Sequence, residues 1–203
     1  MMAEEFNIDL EGNFPSMYSA LTLLLCSVLL SIISSVHKEN NNRYAKHWKI
    51  LSFIFLYLSL DEMLSLHEHV VTPLRNLGFS GFFYHAWVVA AAIILPIFCL
   101  SFLRFFLNLE RKTRTLFFVS FILFVGGAFD LELVGGNYAD SYGAYNMGYK
   151  LLVTFEELLE MSGIVVFVHT LLLHLNFLNI KELDIEVELK HDKSTYPLSH
   201  KGE

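Results

Sequence analysis

The sequence predicts an all-α fold, a polytopic membrane helix bundle of about five transmembrane helices, and three observations predict it. Of 203 residues, 54% are hydrophobic and 15% aromatic, which is more apolar than a soluble domain of this size sustains. Apolar runs recur near 14–36, 47–71, 84–107, 115–136 and 149–177, each close to the roughly 20 residues that a bilayer core requires. Basic residues crowd every second connection between these runs, as they do in a polytopic chain.

The elements follow in order. Residues 1–13 are acidic and read as an extracytoplasmic leader; a cleaved signal would carry basic residues before its apolar run. Span one has no formal charge. Its Ser27, Ser31 and Ser34, with Ser19 and Cys26 nearby, recur at helical spacing and predict a small-residue packing face; a hydroxyl-lined pathway is the alternative. Span two carries "SLDEMLSLHEH" at residues 59–69, and span three begins beside His85. Span four bears Asp130 and Glu132, and span five bears Glu156, Glu157 and Glu160. Between them "GGNYADSYGAYNMGYK" reads as a loop, whose Tyr138, Tyr142, Tyr145 and Tyr149 form an interfacial aromatic belt or a lid. Thr154 and Glu157 fit a capping box, which would start a helix near Thr154. The bundle spans 14–178. The polar tail, 179–203, alternates Leu183, Ile185, Val187 and Leu189 with acids in a strand-like pattern. Cys26 and Cys99 read as packing residues rather than a disulfide pair.

Charge sets the expected orientation. Lys38, Arg43, Lys46 and Lys49 lie around the first connection, Arg104, Arg111, Lys112 and Arg114 around the third, and Lys181, Lys190, Lys193 and Lys201 in the tail. The other side has only Arg75 and Lys150. The N-terminus is therefore expected outside and the C-terminus in the cytoplasm.

This orientation places eight acids in the outer half of the membrane: Asp61, Glu62, Glu68, Asp130, Glu132, Glu156, Glu157 and Glu160. No Lys or Arg shares their depth. A charged acid at a span centre costs about 2.5–3.5 kcal/mol on insertion scales. Compensation comes from protonation, from headgroup water or from a bound cation. Histidines at matching depth, His67, His69 and His85, favour the cation, because imidazole with carboxylates ligates Zn, Mn and Fe. On an ideal helix Asp61, Glu62, Ser65, Glu68 and His69 share about a third of the circumference, and His67 points away. Asp130 and Glu132 diverge by about 200°, so only one of them faces a common centre.

The stretches "LSLDEMLSLHE", "GGAFDLE" and "LLVTFEELLEMSG" resemble an uncharacterised family of small bacterial multi-pass membrane proteins with an S-L-D-E-x4-H-E motif and no firmly assigned activity. The resemblance covers about residues 50 to 170. It implies Asp61, Glu62, His67, Glu68, Glu132, Glu157 and Glu160 as the metal-site residues, and it favours Glu132 over Asp130. It also includes His67, against the ideal helix; a helix break or a second binding face would reconcile the two.

The expected function is an integral membrane protein, in the bacterial inner membrane, with a carboxylate/histidine site for a divalent metal ion (Zn, Mn or Fe). Such a site suits a metalloenzyme, a hydrolase or oxidase acting on a lipid or another membrane-associated substrate. The alternatives are a cation or proton transporter using the same acids, or a non-catalytic assembly subunit. The partners expected are the lipid bilayer, a lipid or small-molecule substrate, and a membrane protein or a second copy. Nucleic acid is not expected, because the basic residues are dispersed at membrane edges. No nucleophile, phosphate-loop or haem-attachment motif is present.

The topology is testable in a background with Cys26 and Cys99 replaced by Ala. Single cysteines at Asn13 and Ser194 should label from opposite faces of the membrane. Labelling from one face excludes an odd number of spans.

Overall fold

The computed structural model describes residues 14–66, 80–84, 87–144 and 146–178. Among them every regular element is helical. Helix α1 is Phe14–Glu39, α2 is Ala45–Leu64, and a 3-10 turn, Gly81–Phe83, precedes α3, Trp87–Asn108. Helix α4, Arg111–Val125, runs through a π-helical segment, Gly126–Leu131, into α5, Glu132–Tyr142; α6 is Met147–Phe177. Four helical segments are long and apolar enough to cross a membrane: α1, α3, the continuous rod Arg111–Tyr142, and α6. Helix α2, which the sequence suggests as span two, is not among the four, since Lys46 and Lys49 near one end and Asp61 and Glu62 near the other lower its hydropathy.

A serine seam joins α1 to α2. The Ser27 hydroxyl donates to the Ser52 carbonyl at 2.8 Å, and the Ser52 hydroxyl donates back to the Ser27 carbonyl at 2.9 Å. Ser59 donates to the Ala20 carbonyl at 2.7 Å and Ser34 to the Ala45 carbonyl at 2.9 Å. These bonds span nearly the whole of α2. Small hydroxyl side chains let the two backbones approach and then bond across the gap. The packing reading of span one holds, and its serines are engaged with α2 rather than lining a pathway. The turn between the helices is made by Asn40–Asn42, with Asn41 at φ +50, a left-handed conformation that Asn tolerates.

The core lies toward the end of the bundle where α1 finishes and α2 begins. Leu23, Cys26, Leu30 and Ile33 of α1 recur at intervals of three and four and pack with Leu51, Phe102, Phe105, Phe117, Ile164, Phe167 and Leu171. Aromatic rings lock it: Phe117 meets Phe167 edge-on at 4.8 Å, and Trp48 meets Phe105 at 4.9 Å. The outer surface is the converse of a soluble protein's. Ile93, Ile94, Ile97, Leu100, Leu103 and Leu107 of α3 are all exposed. A continuous apolar face of that extent matches lipid. Both cysteines are free, Cys26 fully buried.

Three boundaries differ from the sequence reading. Span two, expected to reach residue 71, is interrupted after Leu64, because Ser65 adopts a left-handed conformation (φ 50, ψ 42) that cannot continue an α-helix; Leu66 is again helical, and 67–71 lie outside the described residues. The supposed loop from Gly135 is helical as far as Tyr142; Gly135 and Gly136 are buried packing residues of α5, not breakers, and the turn comes at Gly143, φ +81. Helix α6 starts at Met147, capped by the Asn146 side chain, which accepts from Tyr149 N at 3.0 Å. Thr154 is thus mid-helix and donates back to the Lys150 carbonyl, so the capping box is not used. Tyr145, the strand-like stretch of the tail and the residues before Phe14 lie outside the described residues.

The tightest interhelical contact is between the Arg111–Tyr142 rod and α6. A Cβ at Gly163 would stand 2.6 Å from Phe124 N, and one at Gly127 would stand 2.9 Å from the Glu156 carbonyl oxygen. Both glycines allow a backbone approach that no other residue permits. Gly163→Ala should therefore destabilise the detergent-solubilised protein by about 1–3 kcal/mol, as overpacking does. Gly126→Ala, with nothing within 4 Å, should be near neutral. Equal thermal midpoints for the two variants would contradict the contact.

Candidate functional site

The glutamates gather where the rod meets α6. Gly127 sits against Glu156 and Glu160, and its hypothetical Cβ would touch Glu160 Cγ at 2.8 Å. Five residues on, an ideal α-helix would carry Glu132 about 140° round from that face. The intervening π-helical segment turns through less per residue, so Glu132 swings back toward α6. Its carboxyl group is hydrogen-bonded to that of Glu156. Asp130, two residues earlier, is exposed. Glu132 and Asp130 thus face different ways, with Glu132 in the cluster.

Three further acids complete the described part of the cluster. Glu156 lies in the field of Glu157 and Glu160 as well as Glu132. Glu160 lies in the fields of Glu157, Glu62 and Glu132. Glu62 brings the end of α2 to the site, so carboxyl groups from α2, the Arg111–Tyr142 rod and α6 converge. Asp61, one residue earlier, interacts with Tyr57 on the preceding turn, and Tyr57 is exposed on the lipid side. The indole Nε1–H of Trp87, at the start of α3, donates to Glu132 Oε1 at 3.2 Å. Above this lies a clasp: Gly81 N donates to Asp140 Oδ2 at 2.8 Å, which holds the turn before α3 against α5. All five cluster acids are half-buried, between lipid-facing helices and the apolar core.

Chemically, two carboxyl groups in hydrogen-bond contact need one hydrogen between them. The Trp87 indole only donates, so Glu132 Oε1 must accept. The pair is therefore built to share a proton, with a lone pair of Glu132 pinned by α3. Among the described residues, no three His, Cys, Asp or Glu side chains already form a metal-holding group. His67, Glu68, His69 and His85 lie outside the described residues. The helix break at Ser65 removes the basis for turning His67 away from the centre, since an ideal wheel does not extend past it.

Glu156 is absent from the ligand set that the family resemblance implies, yet it is the residue that contacts Glu132. Its signal was the i+4 spacing to Glu160 on one face. A second polar cluster, at the opposite end of the bundle, had no expectation attached to it. His37 Nε2 and His174 Nε2 stand 3.2 Å apart, both residues buried. The Trp48 ring stacks on His174 at 4.9 Å and lies parallel to His37 at 5.8 Å. Residues 37 and 174 are far apart in sequence, His37 beside Lys38 and Glu39 and His174 among leucines, so neither spacing nor composition joins them.

Comparison with known proteins gives one match. A family model described as Domain of unknown function (DUF8692) matches residues 2–175. No curated protein and no solved structure matches the chain.

The role of Glu132 can be read from tryptophan fluorescence. The chain has two tryptophans, so Trp48→Phe leaves Trp87 as the sole reporter. In that background Glu132→Gln should shift the Trp87 emission, because the carboxyl group that accepts from the indole is replaced by an amide, while Asp130→Asn should leave it unchanged. A shift with Asp130→Asn alone would reverse the placement of the two acids.

Proposed function

The chain belongs to the DUF8692 family, an uncharacterised domain family, and from that premise we propose that it is an integral membrane protein whose glutamate cluster binds a cation in the outer half of the bilayer. At rest the cluster holds shared protons, and a divalent transition metal ion (Zn, Mn or Fe) displaces them. The observation that carries this reading is the Glu132–Glu156 contact, with Glu62, Glu157 and Glu160 within reach of one another's charge. A dication replaces two protons directly and gains from the low local dielectric.

Glu132, oriented by Trp87, is the anionic anchor. Glu62, Glu157 and Glu160 add carboxylate oxygens, and His67 and Glu68, beyond the break at Ser65, supply the remaining donors. Asp61 serves at the rim beside Tyr57. A bound ion would polarise an ester carbonyl or lower the pKa of water, and a glutamate not engaged by it acts as general base. The substrate class is a lipid or another molecule presented from the outer leaflet. Basic-residue asymmetry supports the outside N-terminus, and the resemblance to small bacterial proteins supports the inner membrane as its location.

The Glu132–Glu156 hydrogen bond also favours a second reading, in which protons are the only cargo and the cluster belongs to a proton carrier. Against it stands the apolar core below Glu160. Ile164, Phe167 and Leu171 follow it on α6 and are buried against Leu30, Ile33 and Phe117. That packing supports access from one side only.

Metal analysis of the detergent-purified protein after supplementation with Zn, Mn and Fe separates the readings. Stoichiometric metal is expected in the wild type, and its loss is expected when Glu62, Glu156, Glu157 and Glu160 are replaced by Gln, which keeps shape and insertion. Absence of stoichiometric metal from the folded wild type refutes the metal site and leaves the proton carrier, for which proton flux into liposomes should then fall in the Glu156→Gln variant.

A further inference from the structure

We propose that His37 and His174 form a second site, for a borderline transition-metal ion, at the end of the bundle opposite the glutamates. It does not depend on the glutamate reading. His37 lies in the last turn of α1 and His174 in the last turn of α6, so the pair ties the first span to the last. The two Nε2 atoms face each other at 3.2 Å. Two imidazoles bound cis to a tetrahedral ion, with metal–nitrogen bonds of about 2.0–2.1 Å, place their nitrogens roughly 3.3 Å apart. The two rings need little movement to reach that arrangement.

The surroundings are built to hold the rings rather than to bury them idly. Trp48, itself 1% exposed, stacks on His174 and fixes the plane of both imidazoles. Phe177 closes the far side of His174 at 6.3 Å. As a purely packing pair the histidines are a poor choice. The Nδ1 of His174 is buried without a hydrogen-bond partner among the described residues, which an apolar side chain of the same shape would avoid.

Among the described residues no third His, Cys, Asp or Glu joins the pair as a ligand, so water would fill the remaining coordination positions. The negative charge of Glu110 reaches His174. One oxygen of Glu110, Oε2, caps α4 by accepting from Lys112 N at 2.9 Å and Thr113 N at 3.0 Å. Those bonds lower the pKa of the carboxyl, so it is ionised at neutral pH. A cleft of about 210 Å³, bounded by Glu110, Lys112, Thr113, Leu173, Asn176 and Phe177, opens next to the α6 turn that carries His174. Two imidazoles with a water and a nearby carboxylate suit Zn, Co, Ni or Cu rather than Mg or Ca.

The test is a Co²⁺ and Zn²⁺ titration of the full chain in detergent, in the background with Glu62, Glu156, Glu157 and Glu160 replaced by Gln, which removes metal from the glutamate cluster. Stoichiometric binding is expected, with His37→Asn and His174→Gln each weakening it by more than about 100-fold, since losing a ligand exceeds the loss of an outer-shell contact. Histidine ¹⁵N spectra with Zn²⁺ should show both Nε2 resonances shifting together. Binding unaffected by either substitution, no binding in a background whose thermal midpoint matches wild type, or an Nε2–H···Nε2 bond that persists in excess Zn²⁺ would each overturn the site and leave a hydrogen-bonded imidazole pair only.

Discussion

The backbone contact between the Arg111–Tyr142 rod and α6 is the constraint on which the glutamate cluster depends. Gly163 accepts the backbone of Phe124, and Gly127 accepts that of Glu156. With side chains at these two positions the helices would stand apart, and carboxyl groups on facing helices would be separated by lipid or by packing. Helices in a bilayer gain little from the hydrophobic effect when they associate, so such close small-residue contacts and interhelical hydrogen bonds carry the association. The same principle operates at the other main interface, where the serines of α1 bond to the backbone of α2 and of α2 to that of α1. The π-helical segment contains Gly127, and its wider winding turns Glu132 toward the contact that the glycine creates.

The two ends of the bundle are consequently different in kind. At one end, carboxyl groups from α2, α5 and α6 meet under a clasp between Gly81 and Asp140. At the other, aromatic rings and paired histidines fill the space between α1, α2, α3 and α6. Between them lies an apolar layer that includes Leu30, Ile33, Phe117, Ile164 and Phe167, and among the described residues no Asp, Glu, Lys or Arg is fully buried. A charge entering at the glutamate end therefore meets a barrier, which supports chemistry at one face over passage through the protein.

Much of this was legible in the sequence because periodicity and length survive the environment. The serine spacing of span one, the apolar runs and the shared face of Glu156 and Glu160 all depend on α-helical geometry that the chain does adopt. What was not legible came from departures from that geometry. Ser65 ends α2 early, so wheel positions assigned to Glu68, His69 and His67 have no footing. Gly135 and Gly136 look like breakers and are packing residues. The π-helical turn, invisible to a 100° wheel, is what brings Glu132 beside Glu156. His37 and His174 meet only through tertiary packing, which no local pattern encodes.

The claim at the centre of this account is that protons and a divalent ion compete for the same carboxylates. Titration calorimetry of the purified protein in buffers of differing ionisation enthalpy tests it most directly, because it counts the protons leaving as metal enters. In a chain with both histidines of the second cluster substituted, metal binding should release protons, and affinity should rise with pH. Binding that releases none and is indifferent to pH would contradict the account, as it would mean that the glutamates were already ionised and that no shared proton joins Glu132 to Glu156.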